Sequence, residues 1–402
     1  MRPIYLDNNA TTRTDPAVVA AILPYFSDQF GNASSSHAFG SEVAGAVKRA
    51  RGSLQALLGT AFDHEIVFTS GGTESDNTAI LSALDNTDGR DEIVTTAVEH
   101  PAILALVEHL GTSRGIKAHL IGVDARGRLD IEAYRRALGP RTAIASVMWA
   151  NNETGTLFPV ERLAEMAHSA GALFHTDAVQ AVGKIPLDLR ATEIDMLSLS
   201  GHKLHGPKGI GALYVRKGTP FNPLIRGGPQ ERRRRGGTEN VTGIVGLGKA
   251  AELALTHMQD ELTRIRALRD RLEQGILQLG HCAALGDTQN RLPNTSNIAF
   301  EHLEGEAIIH HLNRVGVAAS LGSACASGSM EPSHVLLAMN VPMTALRGAI
   351  RFSLSRDNTI DDVVGVLNLL PEIIARLRVS SPSWQEHGHI TASPIRSTEL
   401  TL

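Results

Sequence analysis

Lys203 is the residue whose setting points most directly to chemistry. It follows an apolar run, Met196 to Leu199, and stands among small residues between His202 and His205, in Ser200-Gly201-His202-Lys203-Leu204-His205. Partial burial and cationic neighbours lower an amine pKa, and the neutral amine is the form that condenses with an aldehyde. The natural aldehyde is pyridoxal phosphate (PLP), whose lysine Schiff base comes with an acidic partner for the pyridinium nitrogen. Asp177, in Thr176-Asp177-Ala178-Val179-Gln180, is placed upstream as that partner, and Gln180 suits the ring hydroxyl.

Other residues fit around this pair. Ser70-Gly71-Gly72-Thr73-Glu74 closes a β-rich run and opens a helical stretch. Glycines at a helix N-terminus let backbone N–H groups approach an anion, so Gly72 and the Thr73 hydroxyl are phosphate candidates. His100, before Pro101, could stack on a flat cofactor ring and move protons; a capping or surface histidine is the alternative. In Asn151-Asn152-Glu153, the Asn152 amide could meet the cofactor or a substrate carboxylate; an Asn-rich turn is the alternative. Arg232 to Arg235 form a basic run, which is usually a solvated face. Thr238, beside Gly236 and Gly237, could complete a phosphate site across a dimer interface.

These residues need a scaffold that brings strand ends together. Seven β-rich runs alternate with helical or loop stretches: 65–69, 92–96, 117–121, 143–149, 173–176, 196–199 and 210–215. Several are apolar throughout, as strands buried on both faces are. The pattern predicts an α/β fold with a mostly parallel seven-stranded sheet, its chemistry at strand ends. Asp15-Pro16 starts a helix, and Gly59 closes another whose apolar face includes Val43, Val47, Leu54 and Leu57. From Asp260 the texture changes to a long amphipathic helix (Leu262, Ile265, Leu268, Leu272, Ile276, Leu279). It reads as the hinge to a smaller α+β domain. The expected division is a large domain over 16–259 and a small one from 1–15 with 260–380. Thr359 and Asp362 make a capping-box pair for a final helix. Residues 381–402 lack periodicity and are expected to be a flexible tail.

Composition sets the surroundings. The chain has 402 residues, 42% hydrophobic and 20% charged, which allows two or three ordinary globular domains. A net charge of −4 gives no basic field for nucleic acid. No run reaches the ~20 apolar residues of a membrane span, and no signal peptide is visible. Two cysteines, Cys282 and Cys325, are no disulfide framework and suit the reducing cytoplasm.

Taken together, the motifs around Lys203, Asp177, Gly72, Asn152 and Thr238, with Asp7-Asn8-Asn9-Ala10-Thr11-Thr12 at the start, resemble the cysteine desulfurases of the NifS/IscS family. The resemblance covers residues from Tyr5 to about Leu377. It implies PLP as cofactor, the PLP-dependent transferase fold type I, and removal of sulfur from L-cysteine to give L-alanine and a persulfide on Cys325. Cys325 lies in Leu321-Gly322-Ser323-Ala324-Cys325-Ala326-Ser327-Gly328-Ser329, whose small residues suit a mobile loop. Cys282 reads instead as a small buried hydrophobe. The resemblance assigns Lys203 to the Schiff base and Cα proton transfer, and His100 to stacking. Phosphate falls to Gly72, Thr73, Ser200 and His202, with Thr238 from a second subunit. Asn152 and Arg351 take the substrate carboxylate, Arg356 being the rival. It further implies a homodimer and an iron–sulfur scaffold acceptor of the NifU or IscU type. The segment 327–336 and Ser381-Pro382-Ser383-Trp384 lean toward the nitrogen-fixation (NifS) branch over the housekeeping branch. No resident metal is implied; an iron–sulfur cluster on the scaffold is the only one Cys325 would meet. Another fold-type-I PLP enzyme, such as an aminotransferase or selenocysteine lyase, and a non-catalytic sulfur-relay protein are the competing readings.

Overall fold

The computed structural model describes residues 2–87, 89–322 and 332–387. Among these, the strands in chain order are β1 (Ile4–Tyr5), β2 (Ile66–Thr69), β3 (Glu92–Thr96), β4 (Lys117–Ile121), β5 (Thr142–Ser146), β6 (Leu173–Asp177), β7 (Met196–Ser200), β8 (Gly211–Val215), β9 (Cys282–Leu285), β10 (Thr295–Phe300), β11 (Val317–Ala318) and β12 (Ala349–Ser353). Seven of them form one sheet in the order β2-β8-β7-β6-β5-β3-β4. Only β8 opposes the rest, pairing antiparallel with both β7 and β2. The mostly parallel α/β sheet read from the sequence is therefore present.

Alternation along the strands feeds two cores, because successive side chains point to opposite faces. Ile66 and Phe68 of β2 and Tyr214 of β8 join Leu54 and Leu58 of the helix Ala38–Leu58 and Leu247 of the helix Val241–Asp260. Val67 and Leu213 join Ile80 of the helix Gly72–Asn86 and Ile103 and Val107 of the helix Pro101–Arg114. Every residue of β5, β7 and β8 is buried, as helices on both faces require.

A separate core surrounds the antiparallel sheet β12-β10-β9. Leu268, Leu272 and Ile276 pack there with Ile298, Phe300, Phe352 and Val363. The long amphipathic helix expected from Asp260 starts earlier than its apolar pattern indicated. Asn240 caps it by accepting the Gly243 N–H, and it runs from Val241 through a π turn, Glu261–Ile265, into Arg266–Leu277. The π turn inserts an extra residue into the repeat and so rotates the buried face from one core to the other.

The first dozen residues strap the two sheets together. β1 pairs in parallel with β11. Asn8 N–H then donates to Ser353 O of β12, and Thr12 N–H donates to His202 O beyond β7. The final helix, Ile360–Ser380, begins at the Thr359–Asp362 capping box, as expected.

One expectation fails. Residues 382–387 of the supposed flexible tail form a short helix, Pro382–His387, in which Ser381 Oγ accepts the Trp384 N–H. The Trp384 ring lies 4.4 Å beneath the Arg378 guanidinium and edge-on to His281. Ser381 Oγ also donates to His302 O, and Ser383 Oγ meets His302 Nδ1, so the turn rests on a few single contacts that period-based reading does not see. Residues 388–402 lie outside the described residues.

Phe352 is fully buried beside Arg351 on β12. Phe352→Ala should cost about 3–5 kcal/mol of stability, read as a lowered urea midpoint. A loss under about 1 kcal/mol would contradict this packing.

Candidate active site

β2, β3, β5, β6 and β7 run the same way, so their C-terminal ends share one edge of the sheet. Ser70–Thr73 follow β2, Val98–His100 follow β3 and Asn151–Glu153 follow β5; Asp177 ends β6, and Ser200–Lys203 close β7. Ligand sites of open α/β sheets lie along this edge.

Lys203 sits in a turn of 3₁₀ helix, Gly201–Lys203. Its Nζ donates to Asn9 O and to Ala10 O, both at 2.7 Å. Burial, then the positive field of Arg351, pull its pKa down to about 8, against the opposing pull of Asp177 and Asp7. A large neutral fraction near pH 8 is what an amine nucleophile requires.

Asp177 is buried at the end of β6 and accepts the Val179 N–H at 2.9 Å. Burial pushes its carboxyl up, although His100, that N–H and Lys203 pull the other way. A cation at this carboxylate would restore the ionised form, and a protonated ring nitrogen is such a cation. Beneath it, His175 holds β5, β6 and β7 in register through Ser146 Oγ and Ser198 Oγ, both at 2.9 Å. Burial drives His175 down to about 3, so it is neutral there. Asp76, also buried, is pushed well up by burial and by Asp177.

His100 takes the capping role that was the alternative for it. Its Nδ1 accepts the Ala102 N–H at 3.1 Å, capping the helix Pro101–Arg114, while its ring remains reachable from solvent. Surrounding protein pulls its pKa down, with Lys203 adding to this and Asp177 opposing it. The cap occupies the Nδ1 lone pair, so the neutral ring carries its proton on Nε2. That tautomer can donate a hydrogen bond from Nε2.

Ser70, Gly72, Thr73, Ser200, His202 and Lys208 are among the residues lining a cleft of about 500 Å³. Its floor is the N-terminus of the helix Gly72–Asn86, whose N–H groups and dipole favour an anion. A Cβ on Gly72 would stand 2.8 Å from Val179 Cγ2, so the close approach needs glycine. His202 Nδ1 meets Thr11 Oγ1 at 3.1 Å. Thr238 is exposed and is not among the residues lining this cleft of its own chain.

Arg351 reaches the same edge from β12 and is buried. It donates to Asp7 Oδ1 at 2.7 Å, Asn152 O at 3.0 Å and Gly322 O at 3.2 Å. Its buried Nε has no partner among the described residues, which suits a carboxylate. Arg356 instead pairs with Asp15 at 2.6 Å. Asn151 builds the turn by accepting the Glu153 and Thr154 N–H groups, and the half-buried Asn152 side chain makes no hydrogen bond among the described residues. Gln180 has partners at both ends: Nε2 donates to Asn9 O at 2.9 Å, and Oε1 accepts from Lys184 at 2.8 Å. Cys325 lies outside the described residues. Gly322 and Ser333, near its flanks, both meet Glu153: Ser333 Oγ donates to Glu153 Oε2 at 2.6 Å, and a Cβ on Gly322 would stand 3.2 Å from that oxygen.

Sequence reasoning assigned no role to Asn9, Asp7, Lys184 or Glu153. Asn9 and Asp7 stood in a quoted motif, but their parts depend on contacts hundreds of residues away. In the cofactor-free protein, acylation of Lys203 should rise with pH and level off above about pH 8, as quantitative peptide mapping would record. A rate still climbing at pH ~10, the range of an ordinary lysine, would show that the site does not lower its pKa.

The chain matches the model of the class-V aminotransferases over residues 4–366. It is 71% identical to a cysteine desulfurase of Gluconacetobacter diazotrophicus over 96% of each chain. It is 58% identical to the cysteine desulfurase NifS of Azotobacter vinelandii over 97% of each chain. Among solved structures, a NifS-like protein superposes with TM-score 0.88 at 36% identity, covering 93% of this chain and all of the other. One titled SspA in complex with cysteine gives TM-score 0.77 at 34% identity, covering 87% and 98%. The chain belongs to the class-V aminotransferase family, within its cysteine desulfurases.

Proposed function

We propose that this chain uses PLP to take sulfur from L-cysteine, leaving L-alanine and a persulfide on Cys325. The observation that carries the reading is the meeting, at one sheet edge, of a desolvated lysine, a buried Asp177 and an arginine whose Nε has no partner among the described residues. Lys203 would hold the cofactor covalently, Asp177 its ring nitrogen and His100 its ring face. The Gly72–Thr73 turn, Ser200 and His202 would hold its phosphate, with Thr238 of a second copy. Bound PLP supplies the electron sink for the pair released at the substrate Cα.

The protein's own residues then do the rest. Arg351 and Asn152 fix the substrate carboxylate. Lys203, as free amine, moves the Cα proton. The Cys325 thiolate attacks the substrate sulfur; the S–S bond forms as the Cβ–S bond breaks, and the released pair stays with Cβ. A proton delivered to that carbon, and the Cα proton returned by Lys203, then yield alanine. His100 would stack on the ring and assist these proton transfers.

The wider reading has separate support. The third hydrophobic core supports a small domain of 1–15 with 260–380 beside a large domain of 16–259. Exposed Leu23, Phe26, Phe30 and Phe39 support a homodimer, which would bring Thr238 to a neighbour's cleft. The two-cysteine composition supports a cytoplasmic home. Among the described residues, no helix is long and apolar enough to cross a membrane. The identity to NifS supports the nitrogen-fixation branch, with nitrogenase maturation as the destination of the sulfur and a NifU-type scaffold as acceptor.

Cys325→Ala should keep bound PLP yet form no persulfide; alanine and sulfide release at the parent rate would reject Cys325. Lys203→Ala should lose the visible band of the lysine-bound cofactor, and an unchanged spectrum would reject Lys203. Arg351→Lys should raise KM for cysteine about tenfold or more, with a smaller change in kcat. An unchanged KM would hand the carboxylate to another residue.

A further inference from the structure

A second lysine, buried where Lys203 is only half-buried, stands behind the site without a role in the proposed reaction. Lys184 follows Asp177 by seven residues, in the turns that leave β6, and is buried. Its Nζ donates to Gln180 Oε1 at 2.8 Å and to Asn9 Oδ1 at 3.4 Å. Asn9 O in turn accepts both Gln180 Nε2, at 2.9 Å, and Lys203 Nζ, at 2.7 Å. Asn9 Nδ2 is tied to Thr295 Oγ1 and Asn152 O. One asparagine therefore joins the amine of Lys203, the amide of Gln180 and the turn that presents Asn152.

A primary amide can be turned over, exchanging its donor and acceptor ends, and only its partners decide which way it lies. While protonated, Lys184 donates and cannot accept, so it holds the oxygen of Gln180 and leaves the NH₂ on the other side. We propose that Lys184 is a positioning residue that orients the Gln180 amide, so that its NH₂ faces Asn9 O and the cofactor side of the site. With one N–H on Asn9 O, the second N–H is left to donate to a ring oxygen. Without Lys184 the amide turns freely, and its oxygen faces the Asn9 carbonyl and the ring oxygen part of the time. Both contacts are then repulsive.

The surroundings fit a held lysine. A cavity of about 20 Å³, room for one water, is lined by Lys184, Lys203, His205, His257, Glu261 and Arg356 among others. Glu261, in the π turn, has a buried carboxylate oxygen without a partner among the described residues. Its charge favours the ammonium of Lys184, while burial, Lys203 and Arg351 disfavour it and bring the pKa down to about 7.

This inference rests on the PLP reading of the site, and a thermodynamic cycle separates the two. The PLP-loaded wild type, K184M, Q180A and the double variant are compared by two readouts. One is the pH midpoint of the visible band of bound PLP; the other is the rate at which PLP is lost on dilution. K184M should shift the midpoint and speed the loss about tenfold, close to the effect of Q180A, and the double variant should match Q180A alone. K184M at wild-type values, or effects of the two substitutions that simply add, overturns the role of Lys184. Should K184M not accumulate folded, K184Q enters the same cycle with the same criteria. A wild type that retains no PLP would sink the reading of the site instead.

Discussion

The amine of Lys203 must be kept out of water yet not left without partners, and much of the molecule serves that constraint. A buried ammonium with no hydrogen bonds is too costly to persist, and one with a tight carboxylate partner would remain charged. The fold takes a middle course: two backbone carbonyls, Asn9 O and Ala10 O, accept its protons. Neutral carbonyls satisfy the group without adding the charge that would raise its pKa. Arg351 on the far sheet adds a positive field.

Those two carbonyls belong to the first dozen residues, which explains the odd course of the N-terminus. It leaves a short strand paired only with β11 and is tied at Thr12 to the His202 carbonyl. On its way it supplies Asp7 to Arg351 and Asn9 to Gln180, Lys203 and Lys184. Residues from three distant parts of the chain thus share one polar network. Such networks hold their members in place only when nearly all their groups are satisfied, and the exceptions carry meaning. Here one exception is Arg351 Nε, at the edge where a substrate carboxylate would arrive.

Much of this was legible beforehand. The runs buried on both faces read as parallel strands because helices on both sides leave no polar face to alternate. Lys203, Asp177 and Gly72 were legible because each follows such a run, and strand ends are where an open sheet gathers its chemistry. The ordered turn at Trp384 was not legible, since a few single contacts leave no periodic trace. Nor was the early start of the long helix, where Gly243, Gly246 and Gly248 blur the apolar face that packs closely against its neighbours.

The residue types and their places at strand ends, then, were determined by the order of amino acids alone, because local period and turn chemistry act over a few neighbours. The partners of Arg351 and Arg356 were not, for the two lie five residues apart and look alike in sequence. Only the folded chain sends one to the Asn152 turn and the other to Asp15. The same holds for the carbonyls that hold the Lys203 amine and for the partners of the Gln180 amide. Each is set by which distant groups come within hydrogen-bonding or Coulombic reach, and that distance exists only in three dimensions.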